Sequence, residues 1–206
     1  MKNKTIFLSI ILIFFISSCD SLPFFGGEEN ATALPQTVSQ WAISATASDS
    51  AGGIHGGNID DQSPFAATGM PDVEVCDDDQ KAWVINSEDD GYHYLELEYY
   101  DPVYVTKIRV KETWNPGAIA KIELLNGSEF VSVWEGSYNT RECPYWFERS
   151  FRGNIGNISL DMMNFKTNTV KITVDTDVPG WNEIDAVELI GYETKWYKYN
   201  GTMYFE

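Results

Sequence analysis

Two adjoining runs show a clear period of two, and nothing else in the chain restricts its fold so much. "YHYLELEYY" sets Leu95, Leu97 and Tyr99 against Tyr94, Glu96 and Glu98, and "VYVTKIRVK" sets Val103, Val105, Lys107, Arg109 and Lys111 against Tyr104, Thr106, Ile108 and Val110. A period of two sends successive side chains to opposite faces, which predicts a β-strand in each run. Further strands are predicted in "IAKIELLNG", "FVSVWEG", "WFERSFRG", "TVKITVDT", "EIDAVELIG" and "KWYKYNGTMYFE", parted by turns at Asn126-Gly127, Arg152-Gly153 and Pro179-Gly180. Asn126-Gly127 is the firmest hairpin signal, because Asn-Gly tolerates the positive φ a tight turn demands. Only "NISLDMMNF" predicts a short helical turn. Many short strands without intervening helices imply an antiparallel sandwich or barrel.

The N-terminus implies export. Lys2 and Lys4 precede an apolar run from Ile6 to Ile16, and small residues lead up to Cys19, the layout of a signal peptide over residues 1–18. "ISSC", Ile16 to Cys19, resembles the bacterial lipobox, which implies cleavage before Cys19 and diacylation of its thiol. Residues 19–37 are rich in Gly, Pro, Glu, Ala and Thr and are predicted to tether the lipid to one folded domain over 38–206. The expected address is the bacterial cell envelope, with the chain lipid-anchored at the outer membrane or cell surface.

Charge and cysteine count narrow the partners. The formal net charge is −17, more negative still once Lys2 and Lys4 leave. Nucleic acid needs a basic footprint that this chain lacks, whereas calcium or a neutral ligand suits the balance. With Cys19 assigned to lipid, Cys76 and Cys143 form an even pair in an exported chain and read as a disulfide, two free thiols being the alternative.

Two acid-bearing stretches stand out. The irregular segment from Ser48 to Trp83 carries Asp60 and Asp61, then Asp77, Asp78 and Asp79. Carboxylates with glycine-exposed carbonyls are the hard oxygen ligands calcium takes, though no run has EF-hand spacing and a solvated loop is the plainer alternative. "GWNEIDAVELIG", Gly180 to Gly191, places Ile184, Ala186 and Ile190 on one alternation phase and Val187 and Leu189 on the other, with acids at Asp185 and Glu188. Burying either acid without a partner is costly.

"WAISATASDS", "SPFAATGMPDV", "KAWV", "YLELEYYDPVYVTKIRVKETWNPGAIAKIELLNG" and "WNEIDAVELIG" together resemble the galactose-binding-like superfamily of discoidin and carbohydrate-binding modules, from about Gln40 to Gly191. The resemblance implies an all-β jelly-roll β-sandwich, galactose-binding-domain-like, of eight or nine antiparallel strands with the first and last meeting. It also implies a structural calcium held by a glutamate of the last strand, which matches Glu188 here, with Asp60 or Asp61 from the early loop. Asp185 is then expected to cap the turn near Trp181 and Asn182.

Within that scaffold the loop end is the expected ligand platform. A sugar face stacks on an aromatic ring while amide and acid oxygens bind its hydroxyls, so Glu112, Trp114, Asn115 and Trp181 are the candidate ligand-binding residues. The alternative is that Trp114 and Trp181 plug the end of the sandwich. Trp83, Trp134 and Trp146 are expected in the core, and the aromatic tail is expected to add a hairpin. His55 and His93 are the only histidines, so a multi-histidine zinc centre is excluded. No nucleophile elbow or phosphate loop occurs. The expectation is a non-enzymatic module binding a glycan or another cell-surface component, without catalytic residues. The alternatives are a protein-interaction or structural envelope lipoprotein and, behind it, a paired-carboxylate glycoside hydrolase.

Overall fold

The computed structural model describes residues 35–206 apart from 56, 138, 140, 156, 157, 200 and 201. The expected signal peptide, Cys19 and nearly all of the expected tether therefore lie outside the described residues. The first strand, β1, runs Thr37–Trp41 and is followed by β2, Ser44–Ala47. A single 3-10 turn, Pro64–Ala67, precedes the 23-residue β3, Tyr92–Trp114. Then come β4, Ile119–Asn126; β5, Glu129–Glu135; β6, Tyr145–Ser150; β7, Gly153–Ile155; β8, Ile158–Leu160; β9, Lys166–Asp175; and β10, Glu183–Tyr192. The tail folds as the predicted hairpin, β11 (Trp196–Tyr199) pairing antiparallel with β12 (Thr202–Phe205).

The two alternating runs are one strand. Its first half, Tyr92 to Glu98, lies between β9 and β2, and its second half, Tyr104 to Glu112, lies between β10 and β6, with all pairings antiparallel. Pairing with β9 breaks between Glu98 and Val103, where Pro102 has no N–H to give a ladder. β3 thus serves both layers of the sandwich: one has the order β1-β10-β3-β6 and the other β2-β3-β9-β4-β5. The early and late strands meet as expected, Val38 opposite Gly191 and Trp41 opposite Glu188.

Alternation sets what fills the space between the layers. Leu95, Leu97, Val103, Ile108 and Val110 of β3 pack with Ile122 and Leu124 of β4, Val170 and Ile172 of β9, and Val187 and Leu189 of β10, all fully buried. Trp83 joins them. Its backbone exchanges hydrogen bonds with Ile184 (2.8 and 3.0 Å) and its indole donates to the Asp49 carbonyl at 3.1 Å, so the long early loop is pinned to β10. Truncating such a residue ordinarily costs about 3–5 kcal/mol.

Two local expectations are corrected. "NISLDMMNF" forms strand β8 instead of a helical turn, while the helical turn lies at Pro64–Ala67. There Ser63 Oγ accepts from Phe65 N at 3.2 Å and Pro64 fits the first turn, where no N–H is needed. Trp146 is not a core residue. It lies half-buried on β6, with the Arg109 guanidinium 4.4 Å and the Lys111 ammonium 5.2 Å from its ring centroid. Trp134 does pack against the core from β5. The predicted hairpin at Asn126-Gly127 joins β4 to β5, with Gly127 at φ 65°.

Candidate functional site

β10 resolves the mixed phases of "GWNEIDAVELIG". Its register against β3 slips between Ile184, which faces Glu112, and Ala186, which faces Lys111. One extra residue, Asp185, reverses the alternation. Ile184 therefore faces the core on one phase, and Val187 and Leu189 face it on the other. The three acids of the strand acquire different partners.

Glu188 accepts from Arg109 Nη1 at 2.7 Å through Oε2 and from the Ser39 hydroxyl through Oε1. Asp185, 1% exposed, accepts from the backbone N–H groups of Asp72 and Val73, each at 3.3 Å. Burial raises its carboxyl to about 6 even though those two N–H groups oppose the shift. It fastens the "GMPDV" loop, which corrects the expectation that it caps the turn at Trp181 and Asn182. Glu183, also 1% exposed, accepts through Oε2 from Asp79 N at 3.3 Å and from Thr113 Oγ1 at 3.4 Å, while its buried Oε1 has no hydrogen-bond partner. Burial, and then the adjacent Asp78 carboxylate, push Glu183 up to about 9.

The expected calcium set is not assembled. Asp61 turns both oxygens onto its own loop, accepting from Asn58 N at 2.8 Å and Ser63 N at 3.0 Å, and Glu188 is ion-paired with Arg109. Among the described residues the acids and histidine whose ligand atoms come within 4.8 Å of one another are Asp49, Asp90 and His93, not Asp60, Asp61 and Glu188. Glu183 Oε1, without a hydrogen-bond partner, and the neighbouring Asp78 carboxylate form a separate pair of acids.

At the loop end, β3 runs into the turn Asn115-Pro116-Gly117. Glu112, 2% exposed, accepts from Gly117 N at 2.8 Å through Oε1, and its Oε2 has no partner. Burial raises this carboxyl to about 7, against the Gly117 and Ala118 N–H groups and the field of Arg141. Asn115 donates to the Trp181 carbonyl and Asn182 donates to the Asn115 carbonyl, both at 2.8 Å. These bonds sew the turn to the 180–182 segment. Glu112 is thus the anchor of the turn and not a surface contact.

Three depressions surround that seam. One of about 130 Å³ is lined by Asn115, Pro116, Arg141 and Pro179 together with the Cys76–Cys143 disulfide, which confirms the cysteine pairing read from the sequence. A second, about 180 Å³, is lined by Gln62, Asp78 and Trp181. The third, about 30 Å³, shares Arg141 with the first and continues over Trp134, Tyr145 and Arg149. The candidate ligand residues are therefore divided: Asn115 lines the first depression, Trp181 the second, and Trp114 lines none of the three. Trp134, Tyr145 and Arg149 were not anticipated as site residues. Their signal is visible in "YWFERS", where Tyr145, Phe147 and Arg149 share one face of β6.

A family model described as "Pappalysin-1, SD scarf domain, C-terminal" matches residues 31–199. Among solved structures, the family 32 carbohydrate-binding module of C. perfringens NanJ, in complex with galactose, superposes with a TM-score of 0.50 at 16% identity, covering 74% of this chain and 99% of that one. A chitosan-binding module from a chitosanase/glucanase of Paenibacillus sp. IK-5 gives 0.48 at 13% identity over 72% and 93% of the two chains. A truncated AlyQ with CBM32 and alginate lyase domains gives 0.47 at 14% identity, covering 77% of this chain and 34% of that one. At such identities the first match speaks to the jelly-roll fold and not to a ligand.

Proposed function

The chain belongs to the family of the pappalysin-1 SD scarf domain, C-terminal, and from that premise we propose that it is a non-enzymatic binding module for a saccharide, held at the bacterial cell envelope by a lipid on Cys19. The observation that carries the proposal is the cluster of shallow depressions around the seam of Asn115 and Trp181. Aromatic faces from Trp181, Trp134 and Tyr145 adjoin amide and guanidinium donors from Gln62, Asn115 and Arg141. A sugar presents the matching surfaces, apolar C–H faces edged by hydroxyls. The NanJ module, bound to galactose, shares the scaffold, which adds to the same reading.

Asp78 is the one acid among the residues lining these three depressions. Hydrolysis of a glycosidic bond ordinarily uses two carboxyl groups flanking the substrate, so this lining favours binding over turnover. Glu112, Glu183 and Asp185 have raised carboxyls but are enclosed and turned toward backbone N–H groups. A structural calcium belongs to the same proposal, held by Glu183 and Asp78, where it would neutralise two adjacent carboxylates and fasten the 77–79 loop to β10.

Recognition of a protein partner is the second reading. Tyr197 and Tyr204 stack at 5.1 Å across the tail hairpin, with Tyr204 facing solvent. A glycan array probed with the purified chain decides between the two. Specific retention on one class of saccharide is expected, and silence across plant, host and bacterial polysaccharides would leave the saccharide reading without support.

A further inference from the structure

The third depression has a charge pattern at odds with the rest of the molecule. The chain has 31 acidic residues against 14 Lys and Arg, so a cation has many opportunities to meet a carboxylate. Of the four arginines, Arg109 pairs with Glu148 and Glu188, and Arg152 lies 3.5 Å from Asp161. Arg141 and Arg149 have no carboxylate oxygen within 4.0 Å among the described residues, and both line this groove. Glu148, the sequence neighbour of Arg149, is turned away toward Arg109 and Lys107. Ser132 donates to Glu135 at 3.0 Å.

The groove is built around these two side chains. It lies where the edge strand β5 of one layer approaches the edge strand β6 of the other, and Trp134 meets Phe147 there edge-on at 5.0 Å. The Arg149 guanidinium lies 4.9 Å from both ring centroids, and that of Arg141 lies 5.2 Å from Tyr145. A ring behind a guanidinium limits its rotation, and Arg149 Nη1 also donates to the Glu148 carbonyl at 3.2 Å. The backbone has made room for the arrangement: a Cβ on Gly136 would come within 2.2 Å of the Trp134 ring, and one on Gly117 within 2.2 Å of the Asn139 carbonyl.

We propose that this groove binds the carboxylate of an acidic saccharide, a uronate unit, between Arg141 and Arg149, with the sugar ring against Tyr145 and Trp134. The proposal rests on the saccharide-binding reading and adds the charge class of the ligand. A carboxylate is planar and takes two parallel N–H bonds from a guanidinium, and an acidic polymer would be repelled by most of this surface. Selectivity therefore falls to the place where cations lack a carboxylate partner.

The test is titration of the purified chain with trigalacturonate and with galactotriose, which differ in charge at C6, followed by tryptophan fluorescence and calorimetry. Trigalacturonate should bind at least about tenfold tighter, as expected for a charge-assisted contact without a competing carboxylate. Arg141→Gln and Arg149→Gln should each remove most of that advantage, weakening trigalacturonate far more than galactotriose, and Arg149→Lys should recover only part of it. A sulfated galactan measured alongside separates carboxylate recognition from general anion attraction, and equal affinity for it and for trigalacturonate overturns the uronate assignment. Equal affinity for both trisaccharides, or arginine variants that bind trigalacturonate normally, overturns the inference and leaves saccharide binding intact. Binding of neither trisaccharide, joined to a silent glycan array, overturns both.

Discussion

Arg109 donates to Glu188 at 2.7 Å across the neighbouring strands β3 and β10. The same guanidinium reaches Glu148 on β6 at 2.5 Å, so one side chain ties together three adjacent strands of a layer. Glu188 is nearly buried while Arg109 is about a third exposed, so removing the acid leaves a guanidinium that water partly rescues. Glu188→Ala should therefore destabilise the domain by about 1–2 kcal/mol in urea unfolding. Arg109→Ala should show a coupling energy with it in a double-mutant cycle. Additive losses would mean that the pair contributes nothing of its own.

Glu183 gives the contrasting expectation. Its unpartnered Oε1 and the Asp78 carboxylate form the pair that a divalent cation would neutralise. Calcium at a hundred times its Kd should stabilise the native state by about 2.7 kcal/mol, seen as a raised melting temperature that a chelator reverses. Glu183→Gln should abolish this response, and Glu188→Ala should retain it. A melting curve of the unaltered chain that ignores both millimolar calcium and chelator would remove the cation from the proposed function.

The difference between these two acids shows where the sequence was informative. Alternation made β3 and β9 legible, because a period of two maps directly onto faces, and the even pair of cysteines left once Cys19 is set aside made Cys76–Cys143 legible. The bulge at Asp185 was not legible. Its only trace was a change of phase between Ile184 and Val187, and without it Glu183 and Glu188 could not be assigned to different surroundings. Partners distant in sequence were equally hidden: Arg109 lies 79 positions from Glu188, and nothing local to either residue names the other. The groove arginines escaped for a related reason, since an unpaired cation is recognised only after every neighbouring acid has been placed.

The raised carboxyls also fix the direction of a pH dependence. Glu112 moves from 4.5 to about 7 and Asp185 from 3.8 to about 6, burial being the first cause in both. Each binds its proton more tightly folded than unfolded, so the stability it contributes is full below its unfolded value and is lost as pH rises through the folded one. Asp61 has the opposite sign: burial raises it, but its hydrogen bonds with Asn58 and Ser63 outweigh that and hold it below 3.8, beneath the window of interest. Through Glu112 and Asp185 stability should fall between roughly pH 4 and 7, and through Glu183, pushed up to about 9, the fall should continue toward pH 9, by no more than about 1.4 kcal/mol per pH unit for each group. Glu112→Gln, which imitates the protonated acid while still accepting from Gly117, should flatten part of that slope in urea titrations. A profile identical to that of the unaltered chain would show that Glu112 does not titrate in this range.

The disulfide permits a prediction that links stability to the groove. Cys76 and Cys143 are separated by 67 residues and join the acidic loop at 77–79 to the connection that carries Arg141. Closing a loop of that length in the unfolded chain is worth up to about 4 kcal/mol by chain entropy. Replacing both cysteines with serine should lower the urea midpoint by an amount approaching that bound. It should also increase amide hydrogen exchange at residues 141–145 relative to the strand centres of β3 and β9, because the connection loses its cross-link to Cys76. An unchanged midpoint would mean that the cross-link adds nothing to the non-covalent contacts that hold residues 141–145. Trigalacturonate affinity should fall only where the released connection lets Arg141 move in the folded state, since the chain-entropy effect itself acts on the unfolded chain.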